Sequence, residues 1–519
     1  MTARIAHPRF TADALETEAM TNATSPDPSR SNGPRSWSVA LATIAFGLGG
    51  CTVGPDHRPR TAAELGMPER YSVPAAPDRE DLTRWWTRFD DPVLGRLVEQ
   101  AGLANLDIAQ AVGRLRQARE GLLQSRSNLL PTISGSAGYN RSLNLVGGGT
   151  AVTLPDGSIT TITRSAGGNF SAGLDARYQV GLFGEIRRTV ESTRAQYEAA
   201  GFDQAAVLLT VQSEVARNYI LARGLQAQIA NARSSLLLQD DNLEIAGFRV
   251  RAGLVSSLDS EQARQQRAQT AAAIPQLDQQ LNAALSRLGV LTAQAPGALK
   301  PELSAPRPIP TGPRTVSAGV PADTLRRRPD IRAAERQLAA ATAEIGVAQA
   351  ALYPALALTG NINTNAASLG GLGDAITGAL FAGVTQAIFN GGRLRSQVRS
   401  ARAGADIAFA SYRATVLLAL EDVENALAAL ASAQAREREF SIALDAATNF
   451  ATLSRSQYRA GLTDFTTLAQ AEAALFNALS GATQARADAA TATVQLFSAL
   501  GGGWDAAVTP VAPDQTGIR

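Results

Sequence analysis

The sequence contains very little cysteine and histidine. One cysteine, Cys51, and two histidines, His7 and His57, occur in 519 residues. Metal sites built from clustered cysteine and histidine ligands are therefore excluded within one chain, and a disulfide could form only between chains. The sequence has no Gly-x-Ser-x-Gly motif and no glycine-rich phosphate loop before a helix. We therefore expect neither an enzyme nor a protein that holds a metal or another cofactor.

Concentrated charge and long apolar runs are also missing after Cys51. The formal net charge is +2, and the one tight basic run is the three arginines at 326–328, which we expect in a solvated loop. A nucleic-acid surface needs clustered positive charge, so no nucleic-acid partner is expected. No later segment has 18 uninterrupted apolar residues. The sequence therefore predicts no membrane-spanning helix.

The N-terminal region has the layout of a secretory signal. Arg30 and Arg35 precede an apolar stretch at 37–50 that is too short to span a bilayer comfortably. Leu-Gly-Gly-Cys at 48–51 resembles a bacterial lipobox. We predict a signal peptide at 1–50 and a covalent lipid on Cys51. An ordinary signal peptide followed by a free cysteine is the alternative.

Two further residues refine this prediction. Met20 could be the true start in place of Met1, which would shorten an unusually long basic region. Thr52 replaces the aspartate that would resemble an inner-membrane retention signal. The outer membrane is therefore the expected location of the mature chain.

Part of the chain occurs twice. Arg-Ala-Gly-Leu at 251–254 returns at 459–462, a shift of 208 positions, and Asp107 and Pro131 return as Asp330 and Pro354, a shift of 223. The difference of 15 residues must lie between Pro131 and Ile186. A repeat of this kind indicates two copies of one structural unit. The predicted segments are a lipid-anchored N-terminal part at 51–104, a first copy at 105–299, a proline-rich linker at 300–329, a second copy at 330–504 and a tail at 505–519.

Each copy contains segments that alternate between apolar and polar residues. The alternation is clear at 170–182 and 132–145, continues at 356–363 and is weaker at 376–389. Period-two alternation predicts strands with one apolar and one polar face. The predicted polar, lumen-facing side chains of 170–182 include Asp175, Arg177 and Gln179.

Strand number decides between a soluble sheet and a membrane barrel. Four strands cannot close a barrel, and an open sheet edge is not viable in lipid. Three chains would supply about twelve strands, which can close. Asp156-Gly157 is a hairpin signal within the extra residues of the first copy, which we expect to extend that hairpin.

The remaining segments predict long helices. Apolar residues at three- and four-residue spacing run through 187–249, 256–290 and 395–436. Without an interrupting proline, 187–249 would form about 90 Å of helix. Such helices suit either the wall of a tube or a solid bundle.

The repeated Arg-Ala-Gly-Leu motif predicts tight turns between helices. Gly253 and Gly461 are placed for the left-handed conformation that ends a helix. Ser256 or Ser257 in the first copy, and Thr463 or Asp464 in the second, can cap the next helix. Leu254 and Leu462 would then be exposed at equivalent tips, which suggests a docking surface.

Several motifs together resemble the TolC-like outer-membrane factors of bacteria, within the NodT-like lipoprotein branch of efflux channels. The matching segments are Cys-Thr-Val-Gly-Pro-Asp at 51–56, Trp-Trp at 85–86 with Phe-Asp-Asp-Pro at 89–92, Leu-Arg-Arg-Arg-Pro-Asp-Ile-Arg-Ala-Ala-Glu at 325–335, Gly-Gly-Arg-Leu at 391–394 and Ala-Leu-Gly-Gly-Gly-Trp at 499–504. The resemblance implies an α+β membrane protein. In that fold a homotrimeric outer-membrane β-barrel with four strands per chain continues as a long coiled-coil α-helical periplasmic barrel.

The resemblance also implies partners and site residues. It implies a passive exit duct for small molecules (drugs, toxic compounds or metals) that a periplasmic adaptor protein and an inner-membrane efflux pump deliver. The adaptor would contact Gly253, Leu254, Gly461 and Leu462 at the tips. In some members of the family, aspartates one and two turns past the second tip ring the closed pore. The corresponding residues here are Thr467 and Gln470, so Asp464, and Asp259 in the first copy, are the nearest acidic gate candidates.

Two other functions remain open from the sequence. The same channel could serve type I protein secretion, although the lipobox and the Arg-Pro-Asp motif favour small-molecule efflux. A purely structural coiled-coil lipoprotein would not explain the alternating strands. The sequence names neither the exported compounds nor the specific pump and adaptor.

Overall fold

The computed structural model of the chain describes residues 52–73, 81–143, 149–163, 167–508 and 510–511. The predicted signal peptide at 1–50, the alternative start Met20 and the lipidation site Cys51 lie outside these residues. Most of the predicted tail at 505–519 lies outside them as well.

Long helices and short strands alternate along the chain. The helices are α1 (Pro92–Ala104), α2 (Leu106–Ser127), α3 (Glu185–Arg251), α4 (Ser257–Leu291), α5 (Lys300–Leu303), α6 (Pro321–Arg327), α7 (Pro329–Ala350), α8 (Arg393–Arg459) and α9 (Phe465–Ala499). The strands are β1 (Thr132–Arg141), β2 (Gly149–Thr153), β3 (Ile159–Thr163), β4 (Gly168–Val180), β5 (Ala355–Ala366) and β6 (Ile376–Thr385). Short 3₁₀ turns lie at Trp85–Phe89 and Leu369–Gly373.

Helix lengths match in pairs. Helices α3 and α8 each contain 67 residues, α4 and α9 each contain 35, and α2 and α7 each contain 22. At 1.5 Å per residue, α3 and α8 are each about 100 Å long. None of the described helices is long and apolar enough to cross a membrane.

Four strands form one antiparallel sheet in the order β1-β4-β5-β6. The outer hairpins are paired in corresponding registers, with Thr132 opposite Arg177 and Ala355 opposite Thr385. The central β4–β5 pair joins the two halves of the chain, with Arg177 opposite Thr359. The sheet therefore continues across the two halves and ends at β1 on one side and β6 on the other.

The extra residues of the first half form a separate hairpin. Strands β2 and β3 pair with Thr153 opposite Ile159. Gly157 has φ +80° in the turn between them, and Asp156 accepts a hydrogen bond from the Ser158 amide at 3.0 Å. The expected hairpin at Asp156-Gly157 is confirmed.

The main core surrounds the middle of the long helices. Trp85 is fully buried and stacks on Phe497, with ring centroids 5.6 Å apart. Asp91 caps α1 by accepting hydrogen bonds from the amides of Val93 and Leu94, and it also accepts one from the Tyr219 hydroxyl at 2.7 Å. These contacts fix the N-terminal helices to α3 at the level of this core.

The expectation of a solvated arginine loop is wrong for Arg328. Arg328 is the residue before α7, and its guanidinium pairs with Asp330 at 2.7 Å and Asp422 at 3.0 Å. It also donates to the Ala499 carbonyl at 3.1 Å. Pro329 begins α7 at this point, so the Arg-Pro-Asp sequence places the arginine between three helices instead of in solvent.

Candidate functional site

One face of the four-stranded sheet is polar. Because side chains alternate along paired strands, the registers place Asp175, Arg177 and Gln179 on the same face. That face also carries Thr132, Ser134, Ser136, Asn140, Asn169, Ser171, Thr359, Asn361, Asn363, Asn365, Thr377 and Thr385. Hydroxyl, amide and charged groups of this kind suit contact with water.

The opposite face is apolar and bare. It includes Ile133 at 72% exposure, Leu174 at 53%, Ile362 at 55% and Leu380 at 95%. Paired residues bring these side chains together across the strands, since Leu174 lies opposite Ile362 and Leu380 lies opposite Gly360. A contiguous exposed apolar surface marks a face that contacts lipid or another protein.

Phe381 departs from this division. It lies opposite Thr359 and therefore shares the polar face, where its side chain remains 67% exposed. Its ring lies against the backbone of Gly383, where an added Cβ would come 2.5 Å from the ring. The weak alternation at 376–389 gave no sign of this position.

Both helical hairpins end in the same turn. Gly253 has φ +71° and Gly461 has φ +76°. The amides of Leu254 and Leu462 donate to the carbonyls of Arg249 and Gln457 at 2.9 and 2.8 Å. The glycine amides donate to the carbonyls of Val250 and Tyr458, both at 3.0 Å, and the two bonds at each tip form the Schellman arrangement that ends a helix. The predicted left-handed glycines are confirmed.

Side-chain caps begin the returning helices. Ser256 accepts from the Leu258 amide at 3.2 Å, and Asp464 accepts from the Thr467 amide at 2.7 Å. The backbone hydrogen bond from Thr467 holds the pKa of Asp464 below its usual value. Of the alternatives left open by the sequence, Ser256 and Asp464 are therefore the capping residues.

The tip leucines are exposed. Leu254 is 73% exposed and Leu462 is 79% exposed. An added Cβ at Gly253 or Gly461 would meet no atom within 4 Å. The turns are therefore open on their outer side, and their leucines contribute nothing to the core.

The four gate candidates do not share one environment. Asp464 and Gln470 are exposed, while Asp259 and Thr467 are half-buried. Asp464 is a helix cap, and Asp259 lies in the first turn of α4, where its charge helps to raise the pKa of Tyr458 after the larger effect of burial.

A contact between the two hairpins was not expected from the sequence. The Arg249 guanidinium lies 4.3 Å from the ring centroid of Tyr458 and donates to the Tyr458 carbonyl at 2.6 Å. Tyr458 is 1% exposed and packs edge-on against Phe465. The two tips are consequently held together by a cation–π contact and a small apolar cluster.

The segment at 52–73, here called the N-terminal segment, runs from the sheet end of α3 toward the core. The Val53 amide donates to the Phe183 carbonyl at 3.3 Å. Arg188 donates to the Val53 carbonyl at 3.2 Å and pairs with Asp56 at 2.7 Å. Thr52 also lies against Gly184, where a Cβ would approach it at 2.7 Å. The start of this segment is therefore fixed beside the junction of β4 and α3.

Farther along, the N-terminal segment is held by charged and apolar contacts. His57 Nε2 lies 2.6 Å from Glu335 Oε1, and Arg336 contacts the same carboxylate at 2.6 Å. Burial alone would raise the pKa of Glu335, but the hydrogen bonds from His57 and Arg336 lower it to about 2. Leu65 is fully buried against α7 and α8, and Ser72 donates to Glu424.

Comparisons with known proteins agree with this arrangement. Residues 97–294 and 320–502 match the sequence model of a family described as outer membrane efflux protein. The chain is 32% identical over 471 residues to the pyoverdine export outer membrane protein OpmQ of Pseudomonas aeruginosa, covering 90% of this chain and 96% of that protein. It is 30% identical over 432 residues to nodulation protein T of Rhizobium leguminosarum bv. trifolii, covering 82% and 89%.

Solved structures show the same fold. The outer-membrane channel OprN superposes with a TM-score of 0.78 at 33% identity, covering 88% of this chain and 100% of that chain. The Campylobacter jejuni outer-membrane channel CmeC superposes with a TM-score of 0.76 at 23% identity, covering 87% and 95%. The mainly helical structure with its small sheet is thus the fold of outer-membrane channels.

Proposed function

The chain belongs to the outer membrane efflux protein family, and we propose that it is the exit duct of a tripartite efflux system in the outer membrane. Small molecules (drugs, toxic compounds or metals) would reach it from an inner-membrane pump through a periplasmic adaptor. The observation that carries this function is the two-faced sheet, which is polar on one side and bare and apolar on the other. Relatives named for pyoverdine export and toluene efflux support small-molecule cargo rather than protein secretion.

We propose that the duct is a homotrimer in which four strands from each chain form one barrel. The open edges at β1 and β6 support this assembly, because unpaired strand edges are not tolerated in lipid. Asp175, Arg177 and Gln179 would then face the lumen. The matched helix pairs support the division into copies at 105–299 and 330–504.

The exposed tips are the proposed adaptor contact. Gly253 and Gly461 shape the turns, and Leu254 and Leu462 present the contact side chains. Within the returning helices, Asp259, Asp464, Thr467 and Gln470 are the proposed gate residues. At neutral pH Asp464 keeps its charge, since its pKa is lowered by the Thr467 amide.

We also propose covalent lipid on Cys51. Thr52 is the next residue and lies against Gly184, at the boundary between β4 and α3. If the strands lie in the membrane, this position is the membrane surface on the helical side. An acyl chain attached one residue earlier could enter the bilayer there without displacing the rest of the N-terminal segment.

Conductance tests the proposed duct. Detergent-extracted protein added to a planar lipid bilayer should produce discrete conductance steps. Protein that is trimeric in detergent but never conducts would contradict an open duct, and a monomer that never conducts would support the structural lipoprotein instead. Because neither the adaptor nor the pump is present in the bilayer, the measured conductance belongs to the channel alone.

A further inference from the structure

The second long helix begins with concentrated positive charge. Arg393, Arg395, Arg399 and Arg402 lie within about the first three turns of α8, and all four are exposed. Within the described part of the chain, none of their guanidinium groups has a hydrogen bond, an ion pair or a ring contact. The first turn contains no acidic residue, and the next carboxylate along the helix is Asp406. Because a helix dipole is positive at its N-terminus, this uncompensated charge is unfavourable in the isolated chain.

The corresponding helix end in the first repeat carries balanced charge. After the shift of 208 positions, Arg393 and Arg399 correspond to Glu185 and Glu191 of α3. Glu191 pairs with Arg188 at 2.8 Å. Two carboxylates of the first repeat are thus arginines in the second. The architecture of the repeat therefore does not require basic residues at this position.

Three of these arginines form one stripe along α8. Arg395, Arg399 and Arg402 share a helix face, because they are spaced by four and three residues; they are called the arginine stripe below. Their counterparts on α3 stay exposed although α2 and α7 both pack against that helix: Arg187, Glu191 and Arg194. A neighbouring helix on each side of α8 would therefore leave the arginine stripe accessible.

The N-terminal segment indicates which side of the wall this stripe faces. On α3, Glu191 pairs with Arg188, whose guanidinium also pairs with Asp56 and donates to the Val53 carbonyl. The lipid proposed on Cys51, one residue before the described segment, requires this side of the chain to meet the membrane surface. By the repeat, the arginine stripe of α8 faces the same way.

The stripe also begins at the level of the membrane boundary. Strand β6 ends at Thr385, and Ile388 and Phe389 follow with exposures of 100% and 91%. From Arg393 to Arg402 the helix rises about 14 Å. The headgroup layer on one side of a bilayer is roughly 5–8 Å thick, and long arginine side chains reach toward it. Apolar side chains followed by basic ones are typical of a segment at a membrane interface.

We propose that the arginine stripe, together with Arg393 and Phe389, binds the headgroup of an anionic glycerophospholipid in the leaflet on the helical side of the sheet. The proposal rests on the proposed duct, which places the strands in the membrane. The lipid phosphodiester supplies the missing negative charge and accepts paired hydrogen bonds from a guanidinium group. A zwitterionic lipid binds more weakly, because its cationic group meets the same arginines. An anionic cell-wall polymer would leave the apolar side chain of Phe389 uncovered, so the surface fits a lipid better.

Photoactivatable lipids test this surface in the full-length protein. The protein is reconstituted in phosphatidylcholine vesicles with a trace of phosphatidylglycerol or phosphatidylcholine, each carrying the same diazirine label near its headgroup. The test variant is Arg395→Gln with Arg399→Gln. The matched control, Arg413→Gln with Arg438→Gln, removes two exposed arginines of the same helix that lie farther from the sheet. Conductance in planar bilayers shows that each variant has assembled.

The wild type should be labelled more strongly by phosphatidylglycerol than by phosphatidylcholine, in the peptide that contains Phe389. An arginine near a membrane surface contributes about fivefold to binding, so the test variant should lose at least about tenfold of this preference, whereas the control should retain it.

Equal labelling by both lipids in a wild type that conducts would overturn the lipid surface and leave the duct intact. An equal loss in the test and control variants would assign the preference to overall charge instead of the arginine stripe. Binding of the wild type to purified peptidoglycan, lost in the test variant and without any lipid preference, would assign the arginines to the cell wall. A wild type that never conducts would instead contradict the proposed function.

Discussion

Gly461 shows how a single residue sets the shape of a tip. Its φ of +76° lies in the left-handed region, where a side chain costs about 1 kcal/mol, and no atom lies within 4 Å of an added Cβ. The penalty of Gly461→Ala is therefore conformational and not steric. We expect tryptic cleavage after Arg459 to become about fivefold faster, matching an opening free energy lowered by about 1 kcal/mol. Gly247→Ala, in the helix interior of the other hairpin, should leave cleavage at its tip unchanged.

Leu462 is the complementary case, since its side chain is 79% exposed and supports no core. Leu462→Asp should leave trimer yield unchanged and alter unfolding by less than about 0.5 kcal/mol. It should nevertheless abolish drug resistance and crosslinking to the adaptor, because a charge replaces the proposed apolar contact. Trimer yield and crosslinking are measured in the same cells. A lost trimer would show that the leucine belongs to the core, and retained crosslinking would move the adaptor contact away from the tips.

Glu335 makes the attachment of the N-terminal segment to α7 depend on pH. Its pKa is lowered to about 2 by His57 and Arg336, against an ordinary value of 4.5. A depressed carboxylate pKa stabilises the folded contact above pH 4.5, and this stability is lost as the pH falls toward 2. Hydrogen exchange in residues 55–65, corrected for intrinsic rates, should therefore increase between pH 4.5 and 2. Glu335→Gln should remove this dependence, and an unchanged profile in that variant would assign the transition to another group.

At the level of elements, the sheet predicts opposite responses on its two faces. Leu174 lies on the apolar face opposite Ile362, whereas Gln179 lies on the polar face. An arginine on a lipid face near the bilayer centre costs about 2–4 kcal/mol. Leu174→Arg should therefore reduce trimer in the outer membrane, while Gln179→Arg should assemble and change ion selectivity in planar bilayers. Equal tolerance of both changes would argue that β4 does not contact lipid.

Local patterns predicted several of these elements. Period-two alternation at 170–182 predicts a strand, which the structure has as β4 at Gly168–Val180. The Arg-Ala-Gly-Leu motif predicts the helix-ending turns that both tips form. Each pattern expresses an interaction between residues a few positions apart. Phe381 is an exception to the division into faces, because it is an aromatic residue that the register places opposite Thr359 on the polar face.

Contacts between distant residues left no comparable pattern. Arg249 meets Tyr458, and His57 meets Glu335, across more than 200 positions of sequence. No sequence pattern around Arg249 or His57 identifies a partner so far away in the chain. The sequence around Arg328 likewise does not identify its partners, since Asp422 and the end of α9 are near it only after folding.

At the scale of the whole molecule, the two repeats differ in one respect: a helix face that is buried in one repeat is exposed in the other. Helices α3 and α7 bury a shared face that includes Ala195 and Ala340. The corresponding residues of α8 and α2, Ala403 and Gln117, are exposed. The proposed trimer would pair the strand edges at β1 and β6, so the barrel, rather than any single helix, would hold the protein in the membrane. The lipid on Cys51 would then add to membrane attachment without being required for it.

Replacing Cys51 separates the anchor from the barrel. Cys51→Ser should abolish labelling by radioactive palmitate, because the proposed acylated residue is gone. Assembly should persist, because Arg188 still donates a hydrogen bond to the Val53 carbonyl and the four strands still provide the surface that contacts lipid. Trimer in the outer-membrane fraction and drug resistance should therefore remain close to wild type. Equal labelling of both proteins, or labelling of neither, would reject lipidation at Cys51. Loss of the trimer together with the label would show that the anchor is needed to bring the strands to the membrane before the barrel can close.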